Sequence, residues 1–345
     1  MEQDILITVL MSVYNGEQYL SQAIDSILAQ TYRNFEFVIY DDCSTDGTSS
    51  IIKQYSDPRI IYRRNSSNMG LTWNLHDGVS RSRGQFIVRI DADDIAYPNR
   101  LEKQLRWMVK HPDITIVGTP VNYFKENPGD GSVALQPSDN DTIKAKLLIS
   151  FTLMHPSIMI RKEDLEKNNI NYNIDFRYSQ DHALYLDCIR YGLKFANMAE
   201  PLLYMRFHSS SISCHNHFEQ QKCSKAARKK FIDDTGIADT CSEQEICVYN
   251  NLASGEYPKG PSEVHTYEHF VTKICNNPIT SEYFDIKILR SCLASALCDK
   301  SYFAISDKLL RKSAITARKS FLTKFSSHWS LKMKVKFLIK KLMSL

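Results

Sequence analysis

The stretch "RIDADDIAYPNRLEKQ", Arg89 to Gln104, packs three carboxylates, Asp91, Asp93 and Asp94, into four positions. It follows "GQFIVRI", an apolar run that reads as a buried strand. Each carboxylate raises the cost of ionising the next. Such a cluster at the end of a core strand is either a solvated turn or the seat of something positive. In an extended chain Asp91 and Asp93, two residues apart, fall on the same side. Hard divalent cations such as Mn²⁺ or Mg²⁺ take oxygen ligands and often share them with a phosphate-bearing substrate.

Outward from this point, residues 1–120 alternate strand and helix signals. "ILITVLMSV", "FEFVIYDD", "RIIYRRN" and "QFIVRID" read as strands. "GEQYLSQAIDSILAQ" places Tyr19-Leu20, Ala23-Ile24 and Ile27-Leu28 at helical spacing, and "LTWNLHDGVSRS" reads as a helix. In "STDGTSSIIKQYS", Ser44, Thr45 and Asp46 are candidate helix caps. Alternation of this kind predicts an α/β fold, a mostly parallel sheet covered by helices. Ligands bind such sheets at the carboxyl ends of the strands, where Asp41, Asp42, Asp91, Asp93 and Asp94 all fall. The turn after the first strand, "SVYNGEQYL", lacks the G-x-G-x-x-G of a dinucleotide fold, and no P-loop is present. Residues 125–141 read as a polar loop inserted between elements. Beyond His217 strand signals fade, which predicts a domain change near 215 and a mainly helical extension over 216–345.

The composition is that of an ordinary globular chain, 43% hydrophobic and 24% charged. No apolar run reaches the ~18 residues of a membrane span, and "ILITVLMSV" lacks the basic lead of a signal peptide. Nine cysteines without CxxC spacing point to a reducing compartment. Residues 308–345 hold eleven Lys or Arg and no Asp or Glu, so the remainder carries 32 basic against 39 acidic residues, a net −7. "SLKMKVKFLIKKLMSL" sets Leu331, Val335, Leu338, Leu342 and Leu345 on one helical face, the pattern of an interfacial helix on anionic lipid. A helix packed on the body, with a solvated basic side, fits the same pattern. An acidic body without a nucleic-acid motif argues against nucleic acid as a partner.

Taken in order, "SVYNGEQYLSQAIDSILAQTYRNFEFVIYDDCSTDGT", "NMGLTWN", "RIDADDIAYPNRLEKQ", "MHPSIMIRKEDLEK", "FRYSQDHALYLDCIRYG" and "YMRFHSSSIS" resemble the family 2 glycosyltransferases of the GT-A fold. The likeness covers residues 5 to about 215. It implies a catalytic domain over 1–215, with a nucleotide-sugar-binding half (1–120) and an acceptor half (121–215). It implies that Asp42 recognises the uracil of a nucleotide sugar and that Ser12, Val13 and Tyr14 pack on the nucleoside. Asp91 is then expected near the ribose or sugar, Asp93 at a Mn²⁺ or Mg²⁺ ion, and His208 at the metal or diphosphate with Arg206 nearby at the donor. Asp94 is expected to fix the turn. Asp181, in "SQDHALYL", is the implied catalytic base.

Three departures from the family pattern stand out. Gln180 replaces the usual Glu before the base. "TWN" at Thr72–Asn74 replaces "ARN", which removes a basic contact near the nucleotide. "HALYLD" alters the acceptor-side walls. The expected reaction is inverting transfer from a nucleotide sugar, a UDP-sugar, to a glycan or undecaprenyl-diphosphate-linked saccharide. Bacterial surface polysaccharide assembly at the cytoplasmic face of the membrane is the implied setting. A nucleotidyltransferase, or a silent nucleotide-sugar-binding scaffold suggested by Gln180, stands as the alternative.

Overall fold

The computed structural model describes residues 4–128, 131–208, 216–256, 258 and 260–300. The basic segment 308–345, with its expected lipid-binding helix, lies outside them. The described residues divide into two compact units, one of 4–143 with 151–227 and one of 144–150 with 228–300.

The first unit is built on two sheets. Strands β1 (Ile7–Val13), β2 (Phe35–Asp41), β3 (Ile60–Arg64), β4 (Phe86–Arg89), β6 (Ile116–Gly118), β9 (Met159–Arg161) and β10 (Phe195–Asn197) form the larger, in the order β10-β6-β9-β4-β1-β2-β3. All its pairings are parallel except those of β9, which runs antiparallel to β4 and β6. The central strands are buried on both faces, which is why they read as unbroken apolar runs rather than as alternation. Helix α1 (Leu20–Leu28) lays Leu20, Ala23, Ile24 and Ile27 on the sheet at the expected spacing. Helix α2 (Thr48–Gln54) begins at Gly47 without a side-chain cap. Asp46, one of the expected caps, sits one residue before Gly47 and still accepts the Thr48 amide at 3.0 Å, and the Glu17 amide at 3.1 Å. Helix α3 (Leu71–Arg81) matches its expected span.

The register sets up the site. Val13 of β1 is level with Asp41 of β2, and Asp41 with Arg64 of β3. Pairing of β1 with β4 ends at Leu10↔Arg89 and is prolonged by the Ile90 amide on the Leu10 carbonyl at 3.1 Å. Continued at the same offset, it brings Asp91 level with Ser12. Nucleotide-loop and carboxylate-cluster residues therefore share one edge.

The second sheet, β5 (Ile95–Ala96), β11 (Leu203–Arg206), β7 (Val121–Phe124) and β8 (Val133–Ala134), starts directly after Asp94. Tyr204↔Ile95 pair antiparallel, so the same register runs back to face Arg206 with Asp93. The expected polar loop 125–141 contains β8 and the start of α5 (Asn140–Leu147).

Beyond these come α4 (Arg100–Lys110), α6 (Lys162–Lys167) and α7 (Gln180–Arg190), then α8 (His217–Thr235), α9 (Glu243–Ala253), α10 (Pro261–Asn276), α11 (Thr280–Tyr283) and α12 (Ile286–Lys300). No strand follows Arg206 among the described residues. In the second unit Tyr249 stacks on Phe270 at 4.4 Å between centroids and donates to the Leu148 carbonyl at 2.6 Å. Helix α9 opens with a reciprocal Ser242–Glu245 capping box. No helix among the described residues is long and apolar enough to cross a membrane.

Candidate active site

Asp91, Asp93 and Asp94 each offer a carboxylate oxygen within 4.8 Å of the others. Their environments differ. Arg89, 5% exposed at the end of β4, grips both oxygens of Asp91. Asp94 is buried and accepts the Arg206 amide on Oδ1 at 2.9 Å, while its buried Oδ2 has no partner among the described residues. Burial, with Asp91 and Asp93 close by, holds the Asp94 carboxyl well above its usual range. Burial likewise raises Asp91, against the opposing pull of Arg89. Asp93 remains part-exposed at the rim, and His208 Nε2 lies 2.8 Å from its Oδ2.

The donor set fits a hard divalent cation. Clustered carboxylate oxygens suit Mn²⁺ or Mg²⁺, the imidazole beside them is a softer donor that suits Mn²⁺ better than Mg²⁺, and a positive ion relieves the mutual repulsion of the cluster. Asp93 and His208 are the residues that would hold it, because both Asp91 oxygens already face Arg89.

A second group lines the other strand ends. Asp42 is 3% exposed, and Oδ1 accepts the Asn65 side chain at 2.7 Å and the Met69 amide at 2.8 Å. Its Oδ2 accepts the Gly70 amide at 2.8 Å. Asn65 also donates to Asn74 Oδ1 at 2.7 Å, and Asn74 donates to Ser12 Oγ at 2.9 Å. A hydrogen-bonded chain Ser12–Asn74–Asn65–Asp42 thus links the ends of β1, β2 and β3 to α3. Gly70 serves the turn with a φ of +86°, which a Cβ would strain. Val13 is buried, whereas Tyr14 stands 52% exposed at the β1 end. Asn15 has a φ of 52° and Cys43 of 64°. Both are held by ties between the two loops, the Thr45 amide on Asn15 Oδ1 at 2.8 Å and the Asn15 amide on Ser44 Oγ at 3.0 Å. Backbone of this kind persists only where surrounding contacts fix it.

Asp181 lies in the first turn of α7, where a carboxylate meets the favourable end of the helix dipole. Burial raises its pKa, while the His182 amide and the Arg89 charge pull the other way. Asp181 in turn bears electrostatically on Asp91, Tyr172 and Tyr185. The base candidate and the carboxylate cluster therefore share one charged neighbourhood around Arg89. The preceding Ser179 has a φ of 53° and bonds the Gln220 carbonyl and Ser224 hydroxyl of α8 at 2.9 and 3.0 Å.

The sequence-derived set is thus brought together in part. Ser12, Val13, Tyr14, Asp42, Asp91 and Asp93 occupy the carboxyl edge, His208 touches Asp93, and Asp181 joins through Arg89. Arg206 requires a correction. Expected at the donor, it is 6% exposed and turned inward, with Nε on the Asp93 carbonyl at 3.0 Å and Nη2 on Gln22 Oε1 at 2.6 Å. Sequence reading missed Arg89 and the Asn65–Asn74 link. Arg89 carried a signal: a cation inside a buried strand needs a partner, and Asp91 two residues on is placed to supply one.

A mostly parallel sheet with one antiparallel strand, a small second sheet and a carboxylate cluster at the strand ends are the arrangement expected of a GT-A fold. The sequence profile described as "Glycosyl transferase family 2" matches residues 8–168. An uncharacterized glycosyltransferase of Haemophilus influenzae is 30% identical over 243 residues, 67% of this chain and 75% of that protein. The O-antigen biosynthesis glycosyltransferase WbnJ of Escherichia coli is 28% identical over 251 residues, 71% of this chain and 94% of its own. Among solved structures, S. aureus TarS 1-349 in complex with UDP aligns over 95% of this chain and 93% of its own, with TM-score 0.54 and 14% identity. The mannosyltransferase PcManGT from Pyrobaculum calidifontis, in complex with GDP-Man and Mn²⁺, aligns over 97% and 86%, with TM-score 0.50 and 15% identity. The chain belongs to glycosyltransferase family 2, and it is a glycosyltransferase.

Proposed function

We propose that this enzyme transfers a sugar from a nucleotide-sugar donor, a UDP-sugar, to a hydroxyl of a glycan or lipid-linked saccharide, with inversion at the anomeric carbon. The observation that carries the reading is the contact of His208 with Asp93 at one carboxylate cluster at the strand ends, with Asp181 in electrostatic reach of Asp91 in that cluster. A Mn²⁺ or Mg²⁺ ion, when bound, neutralises the leaving diphosphate as a Lewis acid. Asp93 and His208 would hold that ion. Asp181 takes the proton of the acceptor hydroxyl as attack develops. A single in-line displacement needs no covalent enzyme intermediate, so an α-linked donor yields a β-linked product.

Tyr14 offers an exposed ring to the nucleoside beside Ser12 and Val13. Three donors already reach Asp42, and a carboxylate has about four acceptor positions. One remains for a uracil N–H. TarS with UDP supports a UDP-sugar, PcManGT with Mn²⁺ supports the metal, and WbnJ supports surface polysaccharide assembly. An undecaprenyl-diphosphate-linked acceptor, reached at the inner face of the membrane through the basic 308–345 segment, completes the proposal.

A panel of nucleotide sugars, assayed for Mn²⁺-dependent hydrolysis and for thermal stabilisation, tests it. UDP-sugars should be turned over with Mn²⁺ and not in excess chelator. Full turnover in chelator, or no response to any nucleotide sugar, rejects the reading.

A further inference from the structure

We infer that Arg206 is a positioning residue that sets the distance between Asp93 and His208. The inference rests on the metal role proposed for that pair. The two side chains meet at 2.8 Å although 115 positions separate them in the sequence. One comes from the turn after β4 and the other from the chain just past β11; the β5–β11 pairing sets these segments side by side as far as Tyr204, and beyond it a further contact must lock them.

Arg206 makes that lock at four points. Its amide donates to Asp94 Oδ1 at 2.9 Å, and its Nε to the Asp93 carbonyl at 3.0 Å. Its Nη2 donates to Gln22 Oε1 of α1 at 2.6 Å, and its Nη1 to the Lys125 carbonyl, just past β7, at 3.3 Å. The guanidinium lies between two rings, 4.2 Å from the Tyr19 centroid and 4.4 Å from that of Phe124. Tyr19 in turn faces the His208 ring at 5.2 Å. One planar cation therefore ties α1, the carboxylate turn, β7 and β11 together, two residues before His208.

The pattern separates positioning from the alternatives. A donor-binding Arg would keep its fork free, and here Nε, Nη1 and Nη2 are each engaged within the protein. A plain packing residue would need no five-donor fork. Lysine cannot replace it, because a point ammonium lacks the planar geometry that reaches a carbonyl, an amide oxygen and two ring faces at once. Outer contacts of this kind typically change metal affinity by about 10–100-fold when removed.

The test measures Mn²⁺ binding to the full chain with UDP present, from the electron paramagnetic resonance of free Mn²⁺, alongside thermal melts without metal. Arg206→Lys should weaken Mn²⁺ at least ~10-fold. His208→Ala should weaken it too, and the double variant should lose less than the product of the single losses, because Arg206 acts partly through His208. Gln22→Met removes one acceptor and guards against misfolding of the Arg206 variant. It should weaken Mn²⁺ in the same direction with an unchanged melt. Wild-type affinity in both Arg206→Lys and Gln22→Met, or multiplicative losses in the double variant, overturns the inference while leaving the proposed function intact. Absence of Mn²⁺ binding by the wild-type chain brings down the metal role itself, and this inference with it.

Discussion

Arg89 closes a two-point ion pair on Asp91 from beneath the carboxylate cluster, with Nη1 2.6 Å from Oδ2 and Nη2 against Oδ1. The guanidinium is buried and the carboxylate is about one third exposed. Removing one partner of such a pair leaves the other charge in a low-dielectric site. Asp91→Ala should therefore cost about 3–5 kcal/mol in urea unfolding. Asp93→Ala, at the part-exposed rim, should stay within about 1 kcal/mol of wild type while abolishing Mn²⁺-dependent transfer. Equal stability losses in the two variants would contradict this division between a structural and a metal-facing carboxylate.

The opposite end of the sheet offers a test of the fold alone. A Cβ on Gly84 would sit 2.4 Å from the Thr8 nitrogen and 2.8 Å from the Ile7 carbonyl carbon. Both are backbone atoms of β1, which cannot move aside without disturbing its register. Gly84→Ala should cost about 3 kcal/mol of unfolding free energy. Transfer per folded molecule should be unchanged, because Thr8 lies at the start of β1 and the site lies beyond its end. A melt equal to wild type would show that the β1–β4 junction is looser than its contacts imply.

These two sites differ in how far the sequence announces them. Long apolar runs made β1 and β2 legible, and paired apolar positions made α1 legible, because buried strands and amphipathic helices leave periodic traces. The reversed β9 and the second sheet left no such trace. Strands of two to four residues, such as Ile95–Ala96 and Val133–Ala134, are too short for a period to show. Asp91, Asp93 and Asp181 stood out in the sequence as candidates within an ordered series of motifs. The inward turn of Arg206 was not, because its partners on α1 and β7 come from 184 and about 80 positions away. Asp46 was legible as a residue of the α2 start, where one oxygen accepts the Thr48 amide, but its second bond, to the Glu17 amide of the neighbouring loop, was not.

The Ser12–Asn74–Asn65–Asp42 chain invites a test of donor geometry. Asn74 is 1% exposed and both ends of its amide are used. Asn74→Leu keeps the volume and strands an Asn65 N–H, at a cost of about 1–3 kcal/mol. Released from Asn74, the 65–70 loop should hold Asp42 less firmly. The KM for the nucleotide sugar should rise severalfold, with a smaller change in kcat. Steady-state kinetics decide the matter, and a fall in kcat at unchanged KM would place the chain outside donor binding.

Asp181 yields the pH dependence. Burial raises its pKa above the ordinary 3.8, so the fold favours the protonated carboxyl. Its contribution to stability is complete below the unfolded value and is lost as pH rises through the folded one. Asp181→Asn should therefore melt higher than wild type at pH 7, and the gain should vanish below pH 3.8. The base works only when ionised, so wild-type kcat should fall as pH drops through the raised value. The Asn variant should lose about 10²–10⁴ in transfer while still binding the donor. Gln180, which precedes it in the chain, is buried. Gln180→Glu adds a negative charge next to the base and should move the acid limb to higher pH, since a like charge disfavours ionisation. A pH–kcat profile of the three proteins measures this. An acid limb that stays in place in Gln180→Glu, or that survives in Asp181→Asn with wild-type kcat, would remove Asp181 from the role of base.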